Sequence, residues 1–99
     1  MHMEKLMKEI VKFVEERAWK KYHNPKDLAI SISIESAELL EHFQWVAPDF
    51  DDIKGRKEII DEIADIMIYC LLFFHYMGVK PEEAIIKKIN KNKEKYPVG

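Results

Sequence analysis

Apolar residues recur at helical spacing along most of the chain, and no segment shows the strict alternation of apolar and polar residues that is typical of a β-strand. Pro25 and Pro48 interrupt this spacing, because the residue before a proline avoids the helical conformation. Gly78 and Pro81 are typical of a helix end and of a first helical position. The pattern therefore predicts a single all-α domain over residues 1–99 with four helices, at about residues 3–21, 26–45, 53 or 56–76, and 81–93, and with a loop at 46–52.

The third predicted helix is apolar on nearly every side between Ile59 and Met77. A helix that is apolar all round is normally buried all round. Hydrophobic residues make up 47% of the 99 residues, which is more than a monomer of this size readily buries. We therefore expect a partner subunit on this helix, most simply a second copy in a two-fold dimer.

Composition and charge argue against several classes of protein. The single cysteine excludes a disulfide scaffold and fits a reducing compartment. A net charge of −2 argues against binding nucleic acid polymers through bulk charge. The longest apolar stretch, at 66–77, is shorter than the roughly 20 residues that cross a bilayer. The first residues are charged and lack the apolar run of a signal peptide. We expect a cytoplasmic protein that binds neither nucleic acid polymers nor membranes.

Two pairs of carboxylates share helix faces, Glu35 with Glu38 and Glu62 with Asp65, because residues three apart lie on one side of a helix. The second pair lies in the most apolar helix, where an unpaired buried carboxylate is costly, and we expect Asp65 to be buried. The same stripes carry no equal supply of Arg or Lys. Hard divalent ions such as Mg²⁺ bind carboxylate oxygens, so the pattern indicates a metal site. An ordinary solvated acidic face is the alternative.

A di-iron carboxylate bundle is excluded by spacing. Such bundles use Glu-x-x-His pairs on their helices. In this chain the residues three positions before His23, His42 and His75 are, in order, Lys20, Leu39 and Leu72. None of them is a glutamate.

Four short motifs are more specific in combination than each of them is alone. They are Trp19-x-x-x-His23-x-Pro25, Glu35-x-x-Glu38 followed by Phe43-Gln44-Trp45, Glu62-x-x-Asp65, and the ending at 92–97. In combination they resemble the MazG-like all-α nucleoside triphosphate pyrophosphohydrolases, and they are most similar to the dCTP pyrophosphatase branch of that family. The resemblance covers about residues 10–97.

The resemblance implies a four-helix fold that forms a homodimer or tetramer. It also implies cleavage of a nucleoside triphosphate to the monophosphate and pyrophosphate, with Mg²⁺ as cofactor and Mn²⁺ as an alternative ion. The expected substrates are dCTP or modified and non-canonical nucleotides, which would make the protein a housecleaning enzyme of the nucleotide pool.

The same resemblance implies roles for individual residues. The metal ligands would be Glu35, Glu38, Glu62 and Asp65. The candidate catalytic residues are Glu38 and Glu41, of which Glu41 would orient water. The nucleoside pocket would be lined by Trp19, His23, Trp45 and Tyr69. A C-terminal segment that approaches the substrate, across the dimer in one arrangement, would contribute Lys88, Asn92 and Lys95.

The chain departs from the family pattern at three positions. Ile34 stands where many relatives have a glutamate, Asp27 where an asparagine is usual, and Ile10 where a pocket histidine is expected. These departures leave the base preference open. A phosphoribosyl-ATP or dUTP pyrophosphohydrolase is a further possibility within the fold, which the motifs around Trp19 and Trp45 disfavour by resemblance. The alternative from another class is a non-catalytic helical dimerisation or regulatory module.

Overall fold

The computed structural model describes residues 2–99, which fold into helices without a β-strand. The α-helices are α1 (His2–Glu16), α2 (Pro25–Glu41), α3 (Phe50–Ile53), α4 (Lys57–Met77) and α5 (Pro81–Lys95), and a 3₁₀ turn covers Trp19–Tyr22. The four long helices confirm the predicted all-α, four-helix architecture. The remaining helix, α3, is a single turn that begins inside the segment predicted to be a loop, 46–52, and ends one residue beyond it.

Three helix ends follow from residues that the sequence makes visible. Asn24 caps α2, because its side-chain Oδ1 accepts a 2.8 Å hydrogen bond from the amide of Asp27. Gly78 ends α4 in the left-handed conformation, with φ of 71°, and its amide donates to the carbonyl of His75. Pro81 is the first residue of α5, where its missing N–H costs nothing. The predicted roles of Gly78 and Pro81 are confirmed.

Two predicted boundaries were wrong. The first helix ends at Glu16 rather than near Lys21, because Ala18 adopts the left-handed conformation, with φ of 54°, and the chain continues as a 3₁₀ turn. The second helix ends at Glu41 rather than at Trp45. There the hydrogen bonds tighten from i−4 to i−3, as in the 2.9 Å bond from the amide of Phe43 to the carbonyl of Leu40.

The helices pack around α4. α2 lies along α4, and α1 packs against its C-terminal half through a core cluster that joins two residues of each helix. Met3, Met7 and Tyr76 surround this cluster. The buried apolar side chains of the described residues are few, namely Ile10, Val14, Leu28, Ile59, Leu71 and Leu72.

One chain leaves much of α4 uncovered. Ile60, Ile63 and Met67 lie on one stripe of α4 and are 51%, 44% and 51% exposed. The Cα radius of gyration is 16.1 Å, whereas a compact domain of this length has about 13 Å. The all-round apolar helix is therefore not enclosed by its own chain, and the partner subunit stays a prediction.

α5 leaves the end of α4 at an angle of 99°. It keeps Ile85, Ile86 and Ile89 exposed, while Pro81 at its start is buried. Within residues 2–99 no single helix has the length and apolarity to cross a bilayer, and α4 and α5 reach both only as a bent pair.

Candidate functional site

Three carboxylates from α2 and α4 meet where the two helices pack together. Glu35 of α2 and Glu62 and Asp65 of α4 each place an oxygen within 4.8 Å of the others, and we call these three residues the acidic cluster. The two acidic pairs predicted on separate helices thus face each other. The structure brings together three of the four expected metal ligands.

The negative charge of the acidic cluster is not compensated by the chain. A hydrogen bond with Glu62, burial, and the neighbouring charges of Glu38 and Asp65 raise the pKa of Glu35 to about 7. Among residues 2–99 no ion pair reaches the cluster. One turn earlier on α4, by contrast, Glu58 accepts bonds of 2.6 and 2.8 Å from Arg56, and its pKa is lowered by a backbone hydrogen bond and by this guanidinium.

The cluster has the properties of a site for a divalent cation. Oε2 of Glu62 is buried and has no hydrogen-bond partner in the described chain, which leaves an acceptor that a cation would satisfy. Closely spaced carboxylate oxygens are the donors that Mg²⁺ and Mn²⁺ prefer. The expected burial of Asp65 was wrong, since Asp65 is exposed and the buried oxygen belongs to Glu62. The residues present therefore fit a divalent ion.

The two candidate catalytic glutamates lie outside the acidic cluster at different distances. Glu38 is exposed, one turn along α2 from Glu35, and lies close enough to form one of the hydrogen bonds that raise the pKa of Glu35. Glu41 is exposed at the last residue of α2. Glu38 thus borders the cluster, whereas Glu41 is a further turn away.

A cleft of about 450 Å³ adjoins the acidic cluster, and Asp65 forms part of its wall. Trp19, His23 and Tyr69 line this cleft, and the same three line a second cavity of about 240 Å³ together with Asp27. Three of the four residues expected to bind the nucleoside therefore meet beside the carboxylates. The position where an asparagine was expected, Asp27, lies in the same region.

The 3₁₀ turn shapes the rim of this cleft. Ala18, between α1 and this turn, has a left-handed backbone, which is an uncommon conformation for a residue other than glycine. Trp19 then meets Phe13 of α1 edge to face, with ring centroids 5.3 Å apart at 81°. This contact leaves Trp19 42% exposed, so the indole keeps a surface for a ligand.

Other expected site residues do not line the cleft of their own chain. Trp45 is 86% exposed and lies beyond the end of α2. Lys88, Asn92 and Lys95 are exposed on α5, which leaves α4 at 99°.

Five cleft-lining residues were not predicted from the sequence as part of the site: Glu9, Phe13, Val14, Ile68 and Leu72. Phe13 belongs to the apolar stripe of α1, and such a stripe predicts a core whether or not a cleft borders it. Ile10, which stands where a histidine was expected, is buried in the core and also borders the cleft.

The raised pKa of Glu35 predicts that the metal-free protein loses stability between about pH 4.5 and pH 7. In this range the folded state holds a proton that the unfolded chain has released, so the free energy of unfolding falls as the pH rises. We expect a loss on the order of 2 kcal/mol, or about 10 °C in Tm, after solvent screening is allowed for. Thermal unfolding in EDTA should show this slope in the wild type and not in Glu35→Gln. Equal slopes in both proteins would contradict it.

Comparisons with known proteins relate this chain to a protein family and to a solved structure. The profile of the MazG-like family matches residues 30–99. A pyrophosphatase from Archaeoglobus fulgidus, known from its crystal structure, superposes with a TM-score of 0.89 and is 46% identical, over 99% of this chain and 94% of its own.

Curated relatives share less of their length with this chain. dCTP pyrophosphatase 1 of Mus musculus is 32% identical in a 91-residue alignment that covers 87% of this chain and 54% of the mouse protein. dCTP pyrophosphatase 1 of Homo sapiens is 29% identical in a 90-residue alignment that covers 86% of this chain and 53% of the human protein. The chain spans about half the length of these relatives. The family profile covers more than half of the chain and the archaeal structure nearly all of it, so the chain belongs to the MazG-like family.

Proposed function

We propose that the protein is a nucleoside triphosphate pyrophosphohydrolase that uses Mg²⁺, or Mn²⁺ in its place, and prefers dCTP or a modified nucleotide. The main support for the proposal is that the acidic cluster, whose negative charge is uncompensated, adjoins an aromatic cleft of about 450 Å³. A cleft of that volume is in the range of small-molecule sites. Relatives named dCTP pyrophosphatase 1 and pyrophosphatase support the substrate class.

The reaction adds water across the anhydride between the α- and β-phosphates and yields the monophosphate and pyrophosphate. Such hydrolysis depends on charge neutralisation and on a positioned water more than on covalent chemistry by the protein. A bound divalent ion would neutralise phosphate charge and acidify a coordinated water. Glu35, Glu62 and Asp65 would hold that ion.

Other residues would orient the nucleotide and accept the proton that the attacking water releases. Trp19 and Tyr69 would pack against the base, which places the phosphates toward Asp65 on the same cleft wall. Glu38 borders the cluster from its exposed side and would accept the proton of the attacking water. Glu41 would act only at longer range, by ordering solvent.

Replacing Trp19 by Ala should raise KM for the nucleotide and change kcat little. Stacking of a base on an aromatic ring contributes about 1–3 kcal/mol, which corresponds to a KM increase of about 5- to 150-fold. The matched control is Phe50→Ala, which removes an aromatic ring that is 87% exposed on α3 and does not line the cleft. Steady-state kinetics on both variants decide the matter. An unchanged KM in Trp19→Ala would remove Trp19 from the binding site.

We further propose that the active form is a homodimer, or a tetramer built from it, in which a second copy covers the exposed stripe of α4. The support is the exposure of Ile60, Ile63 and Met67 and the large radius of gyration of the single chain. α5 projects from its own chain and carries basic residues, whereas the acidic cluster is negative. A second copy would let Lys88, Asn92 and Lys95 approach the cleft of its neighbour.

A nucleotide panel tests the proposed function. The purified protein is incubated with each ribo- and deoxyribonucleoside triphosphate in Mg²⁺, in Mn²⁺ and in EDTA, and the products are separated by chromatography. We expect monophosphate and pyrophosphate in equal amounts with either metal, fastest for dCTP or a modified nucleotide, and none in EDTA. The alternative, a non-catalytic dimerisation module, predicts no turnover of any nucleotide and no rise in Tm with Mg²⁺. That pair of results from a folded protein would overturn the proposal.

A further inference from the structure

A hydrogen bond connects the nucleotide cleft to the end of α4. Nδ1 of His23 and the hydroxyl of Tyr76 are 2.8 Å apart, although the residues are 53 positions apart in the sequence. Their rings meet edge to face, with centroids 5.6 Å apart at 61°. His23 lines the cleft, while Tyr76 lies half-buried against the core cluster of α1 and α4. Tyr76, which lies outside the cleft, is thus hydrogen-bonded to His23, which lines it.

The Tyr76 hydroxyl can donate to Nδ1 of His23 or accept from it, depending on the tautomer of the imidazole. Burial and the negative charge of Glu15 raise the pKa of the Tyr76 phenol, so the hydroxyl keeps its proton. Within residues 2–99, Nδ1 of His23 is the hydrogen-bond partner that the structure gives this hydroxyl. A half-buried hydroxyl that donates to Nδ1 satisfies its donor. The neutral imidazole then carries its own proton on Nε2.

We propose that Tyr76 is a positioning residue that acts through His23. Its hydroxyl holds the imidazole as the Nε2–H tautomer and at a fixed angle, so that Nε2, the ring nitrogen left for the cleft, presents a hydrogen-bond donor to an acceptor atom of the bound nucleotide. Without Tyr76 the ring would have to select tautomer and rotamer during binding, which costs affinity. The identity of the ligand rests on the proposed function, whereas the tautomer does not.

The tautomer is measured first, by ¹⁵N NMR of the histidine side chains in the nucleotide-free protein. His23 of the wild type should give the Nε2–H pattern, and Tyr76→Phe, which keeps the ring and removes only the hydroxyl, should give a mixture of tautomers. A wild-type Nδ1–H pattern, or an unchanged tautomer population in Tyr76→Phe, would overturn the inference. Because no nucleotide is present, this result is independent of the proposed function.

Kinetics test whether the effect passes through His23. Tyr76→Phe should raise KM about 3- to 10-fold, the effect of one hydrogen bond, with kcat within about twofold of the wild type. The double variant with His23→Asn should be no worse than His23→Asn alone, because both changes remove one interaction. Additive losses, or a fall in kcat alone, would overturn the inference.

A neighbouring histidine supplies the control for these kinetics. His75→Asn removes the other imidazole beside Tyr76, whose ring centroid is 5.5 Å away, and should leave KM unchanged, since His75 does not line the cleft. If KM rises equally in His75→Asn, the effect reflects local packing and the inference fails. Complete inactivity of the wild type would count against the proposed function alone, and the NMR result would still decide the role of Tyr76.

Discussion

Glu62→Gln is expected to abolish nucleotide hydrolysis, with a loss in kcat/KM on the order of 100-fold or more. Even residues that only orient metal ligands cost about 10- to 100-fold when they are removed, and Glu62 supplies a buried oxygen that no group of the described chain satisfies. Asp65→Asn should have a similar effect, because Asp65 belongs both to the acidic cluster and to the cleft wall. Release of pyrophosphate at saturating Mg²⁺ measures the loss.

The adjacent residue supplies the control for this experiment. Asp61→Asn makes the same type of change in an exposed acid of α4 that lies outside the cluster, and its activity should stay within about twofold of the wild type. The metal-free Tm of Glu62→Gln should be equal to or above that of the wild type, because the substitution relieves repulsion among the acids. Wild-type activity in both Glu62→Gln and Asp65→Asn would remove the cluster from the mechanism.

Met67→Asp is expected to dissociate the oligomer and to lower activity about tenfold or more. Met67 is 51% exposed in the apolar stripe of α4, and a charge buried there between two copies would be unpaired. The monomer would also lack the neighbouring α5, and with it the basic residues proposed to approach the cleft. Light scattering after gel filtration, with activity measured on the same fractions, follows both effects.

Ser33→Asp is the matched control for the subunit interface. It adds one negative charge, as Met67→Asp does, at an exposed position of another helix, α2. We expect this variant to keep the mass and the activity of the wild type. A fully active Met67→Asp monomer would separate catalysis from oligomerisation and contradict this part of the account.

Most of the correct predictions depend on residues that are close together in the sequence. Helical periodicity places Glu35 and Glu62 on faces next to apolar residues, and burial of those residues then brings α2 and α4 together. Gly78 and Pro81 mark the end of α4 and the start of α5 through their own backbone chemistry. The all-α fold and the meeting of the helix faces that carry Glu35 and Glu62 were therefore predictable without a partner or a ligand.

The parts that were missed depend on contacts that local patterns do not encode. Ala18 has a left-handed backbone, which is uncommon for alanine, so the residue type gave no indication of it. The first predicted helix therefore continued through Ala18. The bond between His23 and Tyr76 joins distant segments, so spacing could not reveal it. The burial expected for Asp65 assumed that α4 is enclosed, whereas Asp65 is exposed in the wall of the cleft.

Binding of Mn²⁺, followed by electron paramagnetic resonance, tests most directly whether the acidic cluster is a divalent-cation site. The measurement needs no nucleotide and compares the wild type, Glu62→Gln and Asp61→Asn at the same protein concentration. We expect the wild type and Asp61→Asn to bind Mn²⁺ with equal affinity, Mg²⁺ to displace it, and Glu62→Gln to bind it at least about tenfold more weakly. Equal binding by all three proteins, or none by the wild type, would contradict this expectation.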